Sequence, residues 1–256
     1  EGHAVTFSAG LAAAGIVHFC TISSTFMQRA FDNVIHDVAI QRLPVVLFLD
    51  RGGLVGEAGA THHGAFELAY VGCIPNLTVA SPLDERELRN LLYTALQSGV
   101  PFVVRYPRGK GEGAAWRDEA FERLPIGRGR RLTEGDDMAV LTIGPVGNVA
   151  ARAVKRAAAE GVSAAHYDLR FARPLDEELL DEVGRRFERV VTVEDGVVRG
   201  GVGSTVRDFF DRRGYRTQVR SLGIPDDRFV EHGTPAELYA QCGFDEEGIL
   251  RAILER

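Results

Sequence analysis

Lysine is nearly missing from this sequence. Of its 30 basic residues, only Lys110 and Lys155 are lysines, and the rest are arginines. Such a bias reads as genome composition, so an arginine is not by itself a sign of phosphate binding. Positive charge is also short overall, with a formal net charge of -6. That excludes a general binder of nucleic acid or anionic membrane, because both need a basic surface. Cysteine is sparse: Cys20, Cys73 and Cys242 form no C-x-x-C pair. They are expected as reduced thiols, mostly packed in a core, in a cytoplasmic protein. No apolar run reaches the roughly 18 residues of a membrane span, and no signal peptide opens the chain. There is no Gly-Lys-Ser/Thr loop and no G-x-G-x-x-G, which excludes a P-loop and a dinucleotide fingerprint. The sequence opens at Glu1 rather than Met, in what reads as the middle of a domain, so a piece of a longer protein is expected.

What is present is a globular α/β chain. Its 256 residues are 45% hydrophobic, enough for two modest domains with real cores. Short buried runs alternate with helical periods. Ile16–Ile22, Val45–Leu49, Leu77–Ala80 and Phe102–Tyr106 read as strands, and Ser24–Gln41 and Asp84–Gln97 as helices. Asp84 followed by Glu87 has the spacing of a helix-capping box. The stretch from Arg108 to about Arg130 has no period and reads as a linker. Beyond it, strands are expected at Met138–Ile143, Ala164–Asp168, Val190–Val193 and Thr217–Leu222. Helices are expected near Asn148–Glu160, Asp176–Phe187, Ser204–Arg213, Pro235–Tyr239 and Asp245–Leu254. This alternation predicts two α/β domains with mostly parallel sheets, at residues 1–112 and 131–256, joined by a linker over 113–130.

Chemistry-bearing residues gather in a few stretches. Glu1 precedes a small-residue helix, where a carboxylate commonly does no more than favour the helix dipole. Phe26 and Arg29 lie on a helix where the first reads as core and the second as surface. The stretch from Gly52 to Gly64 is different: five glycines in 13 residues follow a strand buried on both faces and lead to His62-His63. Ligands bind beyond the carboxyl ends of parallel strands, and glycines let the backbone approach them. Paired histidines there are poor core candidates, so a functional loop is expected. A metal site is not, since adjacent side chains diverge and no third ligand is near. Arg105 and Arg108 flank Pro107 at another strand end, as a phosphate clamp or as two solvated arginines. The glycines after Glu194-Asp195 read as a turn that packs one domain on the other.

In this order and spacing, these stretches resemble the transketolase family of thiamine-diphosphate enzymes, and within it the branch that makes 1-deoxy-D-xylulose 5-phosphate. The words that carry the likeness are Ser24–Asp32, His36–Ala39, Thr61–Phe66, Arg105–Gly109, Arg173–Asp176 and Leu222–Asp226. The resemblance runs to the end of the chain. It implies a pyrimidine-binding domain followed by a transketolase C-terminal domain, in an enzyme that condenses pyruvate, with decarboxylation, and glyceraldehyde 3-phosphate. The product feeds isoprenoid, thiamine and pyridoxal synthesis. By resemblance, Glu1 hydrogen-bonds the cofactor aminopyrimidine and promotes loss of the thiazolium C2 proton. Phe26 stacks on that ring with Arg29 nearby, His62 stands by the reacting carbon, and Arg51 and Arg108 hold the triose phosphate. The likeness also implies a homodimer. It implies Mg²⁺ held by a front domain absent here, whose Gly-Asp-Gly…Asn motif Asp136-Asp137 does not rebuild.

Three positions depart from the pattern: Gly2 stands for Gln, Ser23 for Tyr, and Ala58 for the loop Asp four residues before the histidine. A split transketolase, a 2-oxoacid dehydrogenase β-subunit and a catalytically degenerate assembly module are the competing readings. If the loop lacks a carboxylate that the chemistry needs, Ala58→Asp should raise turnover in the complete enzyme. An unchanged or lower rate would mean that Glu57 or another group already does that work.

Overall fold

The computed structural model describes residues 1–255. Two separate five-stranded sheets form, as the alternation predicts. The first is ordered β1 (Phe19–Ser23), β2 (Val46–Asp50), β4 (Phe102–Arg105), β3 (Thr78–Ala80) and β8 (Phe171–Arg173). The second is ordered β10 (Gln218–Ile224), β9 (Arg189–Val197), β6 (Met138–Ile143), β7 (Ala164–Asp168) and β5 (Arg130–Thr133). Each sheet is parallel except for one antiparallel edge, β8 in the first and β5 in the second. The middle strands are buried along nearly their whole length because helices cover both faces.

Strand β8 belongs to the second half of the sequence yet pairs with β3 through Ala80↔Phe171 and Val79↔Arg173. The two halves are therefore stitched through backbone as well as side chains. Three residues are too few to show a period, and the strand went unread in the sequence. Around the first sheet pack α1 (Gly2–Ala13), α2 (Phe31–Asn33), α3 (Glu67–Gly72) and α4 (Glu85–Ser98). Around the second pack α5 (Val146–Ala159), α6 (Glu177–Arg186), α7 (Val202–Arg213), α8 (Pro235–Cys242) and α9 (Glu246–Leu254). One buried cluster runs across the seam, joining Val71, Ile74 and Val79 to Leu141, Val206 and Phe210.

Several expected elements differ in detail. The first strand begins at Phe19, not Ile16, since Gly15 (φ 80°) turns the chain after α1. The helix expected over Ser24–Gln41 is three pieces: a 3₁₀ helix (Ser24–Ala30), α2, and a π turn over Val34–Ala39. Asn33 ties this run to α1, donating to Thr6 Oγ1 at 3.0 Å and to Asp37 Oδ2 at 3.3 Å. A Cβ at Gly2 would meet the same Asn33 Oδ1 at 2.9 Å, which is a physical reason for glycine there. Asp84 caps α4 as expected, accepting from Glu87 N at 2.8 Å. The Glu87 carboxylate, however, takes Leu83 N at 2.8 Å rather than closing the box on Asp84. Of the three thiols, only Cys20 is buried; Cys73 is exposed and Cys242 half-buried.

The segment after β4 carries no regular element but is fastened along α4. Arg89 donates to the carbonyls of Trp116, Glu119 and Ala120, and Leu124 N donates to Thr94 Oγ1 at 2.8 Å. A buried polar cluster clamps α4 to the second domain. Arg130 reaches Glu87 and Asp168 at 3.1 Å each, and Arg170 Nε reaches Glu87 at 2.6 Å.

His166 in β7 is wholly buried, with Nε2 2.9 Å from Thr142 Oγ1 in β6. Burial pulls its pKa down to about 4. The unfolded chain takes up a proton below about pH 6.5, the native chain only near pH 4, so stability is lost as pH falls through that window. His166→Leu should remove an acid-limb loss of up to about 3 kcal/mol, read from urea unfolding at pH 7 and pH 4.5. An unchanged slope would contradict the buried neutral state.

Candidate functional site

The sheet delivers its functional side chains at the carboxyl ends of β1, β2 and β4. Beyond β1, the chain enters the 3₁₀ helix, in which residues three apart eclipse one another. That places Arg29 directly over Phe26, with its guanidinium carbon 4.9 Å from the ring centre. Arg29 also faces Glu1, Nη1 to Oε1 3.6 Å, where Glu1 stands at the N-cap of α1 with a side chain 29% exposed. Phe26 also meets His62 in an edge-to-face contact, 5.7 Å between ring centres. Glu1, the Phe26–Arg29 pair and His62, from three separate stretches of sequence, thus form an unbroken chain of contacts. Phe26 backs onto the first core, which fixes the ring.

His62 sits in the glycine-rich loop after β2. Arg51 takes a left-handed turn (φ 57°), Gly53 follows (φ 79°), and the loop closes where Gly53 and Gly64 exchange backbone bonds of 2.7 and 2.8 Å. Thr61 steadies the tip: its hydroxyl lies 2.9 Å from His62 Nδ1, and its carbonyl accepts from Thr25 Oγ1 at 3.2 Å. The two histidines do different jobs. His63, against the expectation for such a loop, is buried at 4% exposure. Its Nδ1 accepts from Val55 N at 3.1 Å, so Nε2 carries the proton and donates to Glu231 O at 3.1 Å. His63 is a structural pin, and His62, half-buried, is the imidazole left free toward the cluster.

Arg51 and Arg108 leave the ends of neighbouring strands, since β2 and β4 pair in register and Gly52 N donates to Tyr106 O at 2.9 Å. Arg108 is exposed, and Arg51 pairs loosely with Asp50 at 3.6 Å. Arg105 is no phosphate ligand: it is 1% exposed and committed to Glu67 at 2.7 Å. Its Nη2 also donates to the carbonyls of Asp195 and, at 3.5 Å, Gly64. Burial opposes its charge, but Glu67 and Asp195 more than offset that and hold it protonated. Burial also pushes the Asp195 carboxyl upward, against the pull of Arg105. Its oxygens accept from Leu54 N at 3.1 Å and Tyr239 OH at 2.8 Å. This cluster went unread in the sequence. Its signal is charge directly after apolar strands, Arg105 behind Phe102–Val104 and Asp195 in the β9 run. Glu194 beside it is pushed up to about 7 by burial and accepts from Val202 N and Gly203 N at the start of α7. In the Glu194–Ser204 stretch, which the sequence suggests as a domain-packing turn, Val197 N donates to Ala65 O of the first domain at 2.8 Å.

Chemically, the site offers a carboxylate for a ring nitrogen, an aromatic face, an imidazole and three cations, Arg29, Arg51 and Arg108, beyond the carboxyl ends of the strands. That set fits an aminopyrimidine. Among the described residues, no three His, Cys, Asp or Glu side chains group as metal ligands.

Residues 1–112 match the family described as transketolase, pyrimidine binding domain, and residues 127–249 match transketolase, C-terminal domain. The chain belongs to the transketolase family. Among curated proteins, it is 57% identical over 255 residues to 1-deoxy-D-xylulose-5-phosphate synthase of Bacteroides fragilis and 47% identical over 253 residues to that of Aquifex aeolicus. In each case 99% of this chain is covered; it spans 39% of the first relative's length and 40% of the second's. A solved structure described as a split gene transketolase, inactive beta4 tetramer, superposes with TM-score 0.88 at 29% identity, covering 99% of this chain and 80% of that one.

The two histidines should separate in a simple experiment. His63→Phe strands the Val55 amide and the Glu231 carbonyl, and should cost about 2–4 kcal/mol in urea unfolding. His62→Ala should stay within about 1 kcal/mol of the parent. Equal costs would contradict this division of roles.

Proposed function

We propose that this chain forms the pyrimidine-binding and C-terminal part of a thiamine-diphosphate transferase that condenses pyruvate, with loss of carbon dioxide, and glyceraldehyde 3-phosphate. The observation that carries this reading is the Glu1–Arg29–Phe26–His62 contact chain beside the strand ends that bear Arg51 and Arg108. Likeness to the synthases across the whole chain favours it over a split transketolase. When bound, thiamine diphosphate supplies a carbon nucleophile that adds to a keto acid. Glu1 holds the aminopyrimidine N1′ by hydrogen bond and, through it, promotes proton movement at the reacting carbon. Phe26 presents a fixed face for the ring, and Arg29 keeps the Glu1 carboxylate turned toward it. His62 stands on the substrate side, where an imidazole can give or take a proton. Arg51 and Arg108 clamp the triose phosphate from neighbouring strand ends, as guanidinium groups do bidentately.

The remainder of the cofactor site belongs to a segment outside this chain. In this proposal that segment holds Mg²⁺ and the diphosphate. It docks, together with a second copy, where Phe7 (59% exposed), Val17 (62%) and Phe19 (48%) leave apolar surface beside the edge strand β1. No helix in the described residues is long and apolar enough to cross a membrane, and the enzyme is proposed to work in the cytoplasm.

The test joins the chain to the segment encoded upstream of Glu1 and assays pyruvate plus glyceraldehyde 3-phosphate. Turnover is expected, with Glu1→Ala lowering kcat at least about 100-fold. Arg108→Ala should raise KM for the triose phosphate at least about tenfold while sparing kcat. Turnover of ketose and aldose phosphates instead would favour the transketolase reading. Full activity of Glu1→Ala would overturn the role of Glu1.

A further inference from the structure

The loop that carries Arg51 and His62 grows out of the first domain, yet two of its fastenings come from the second. Asp195 Oδ1 takes the Leu54 amide at 3.1 Å, and Glu231 O takes His63 Nε2 at 3.1 Å. Arg105 Nη2 joins the carbonyl that closes the loop, Gly64 O, to the carbonyl of Asp195. The glycines record how tight this is. A Cβ on Gly52 would come 2.5 Å from Arg105 Nε, and one on Gly53 would overlap the Asp195 carboxylate. Farther along, a Cβ on Gly56 would stand 3.0 Å from Gly233 O, and one on Gly59 3.4 Å from His232 Cβ. Asp195 is oriented in turn by the Tyr239 hydroxyl at 2.8 Å, from α8.

We propose that Asp195, oriented by Tyr239 and braced by Arg105, is a positioning residue: from the C-terminal domain it holds the glycine-rich loop so that His62 rests against Phe26. The C-terminal domain then contributes to the site without touching substrate. The proposal rests on the reading of His62 as the substrate-side imidazole. Its physical basis is simple. A five-glycine loop has many accessible conformations, and the backbone bonds between Gly53 and Gly64 close its base without fixing its arms. In one arm, the Leu54 and Val55 amides are held by Asp195 and His63, and Leu54 also packs in the core of the second domain. If those anchors let go, the tip at Thr61 and His62 keeps the Thr25 bond and the edge contact with Phe26 as its ties to the first domain.

The test uses Tyr239→Phe and Asp195→Asn in the intact chain. The first removes one hydroxyl and leaves a ring that packs 4.5 Å from Phe244. The second keeps an oxygen for Leu54 N but withdraws the charge facing Arg105. Tyr215→Phe, which loses a comparable bond to Asp181 at 2.9 Å far from the loop, is the control. Amide exchange at Leu54 and Val55 should rise about tenfold in both variants, while amides of β6 and β7 keep their parental rates. The His62 ring protons, shifted by the Phe26 ring current, should move toward the values of a free imidazole in both variants but not in the control. Should Asp195→Asn fail to fold, Tyr239→Phe alone decides. Unchanged His62 resonances and loop exchange would overturn the proposal, as would a uniform acceleration at every amide. If the loop loosens as expected but His62→Ala leaves turnover intact in the completed enzyme, the anchoring stands and the reading of His62 falls.

Discussion

A guanidinium sealed from water must find its counter-charge inside the protein, and Arg105 finds it in both domains at once. Glu67 comes from α3 of the first domain, and Asp195 from β9 of the second. Removing one partner of such a buried pair costs about 3–5 kcal/mol, because the other charge is left stranded. That is a large share of the total stability of a chain this size. The seam is therefore held by a contact that cannot be half made. The glycines at 52 and 53 are what let the loop backbone lie on top of it. A second polar clamp, Glu87 and Asp168 with Arg130 and Arg170, keeps the far side of the seam shut.

Everything proposed for the site follows from what this seam supports. Parallel strands bring Ser23, Asp50 and Arg105 to one edge, and the turns after them carry the working residues outward. The eclipsed geometry of a 3₁₀ turn puts a cation over Phe26, and the loop lays an imidazole against the same ring. The result is one wall of the proposed cofactor site. It has a carboxylate, an aromatic face and cations, but no acidic cluster for a metal among the described residues. The chain spans about two-fifths of the length of its synthase relatives.

Much of this was legible in the sequence because parallel sheets write themselves plainly. Strands buried on both faces read as apolar runs, and the bounds expected for β6 and β7 match those of the fold. The site residues were legible only as scattered words, made specific by family resemblance and brought into contact by the fold. What stayed hidden was set by distant parts of the chain. β8 is strand only because β3 lies beside it. Arg105 was read as a possible phosphate ligand because nothing local announces that Glu67 and Asp195 will enclose it. His63 looked like its neighbour His62, and only the fold shows one pinned between Val55 and Glu231 and the other turned to the site.

The central claim is that Glu1 works on the cofactor ring in a site that this chain half builds. Its most direct test is proton exchange at C2 of bound thiamine diphosphate, followed by NMR in the chain joined to its preceding segment. Exchange should be greatly faster than in free cofactor, and Glu1→Ala should return it to near the free rate while leaving the cofactor bound. Exchange equally fast with and without the Glu1 carboxylate would contradict the account.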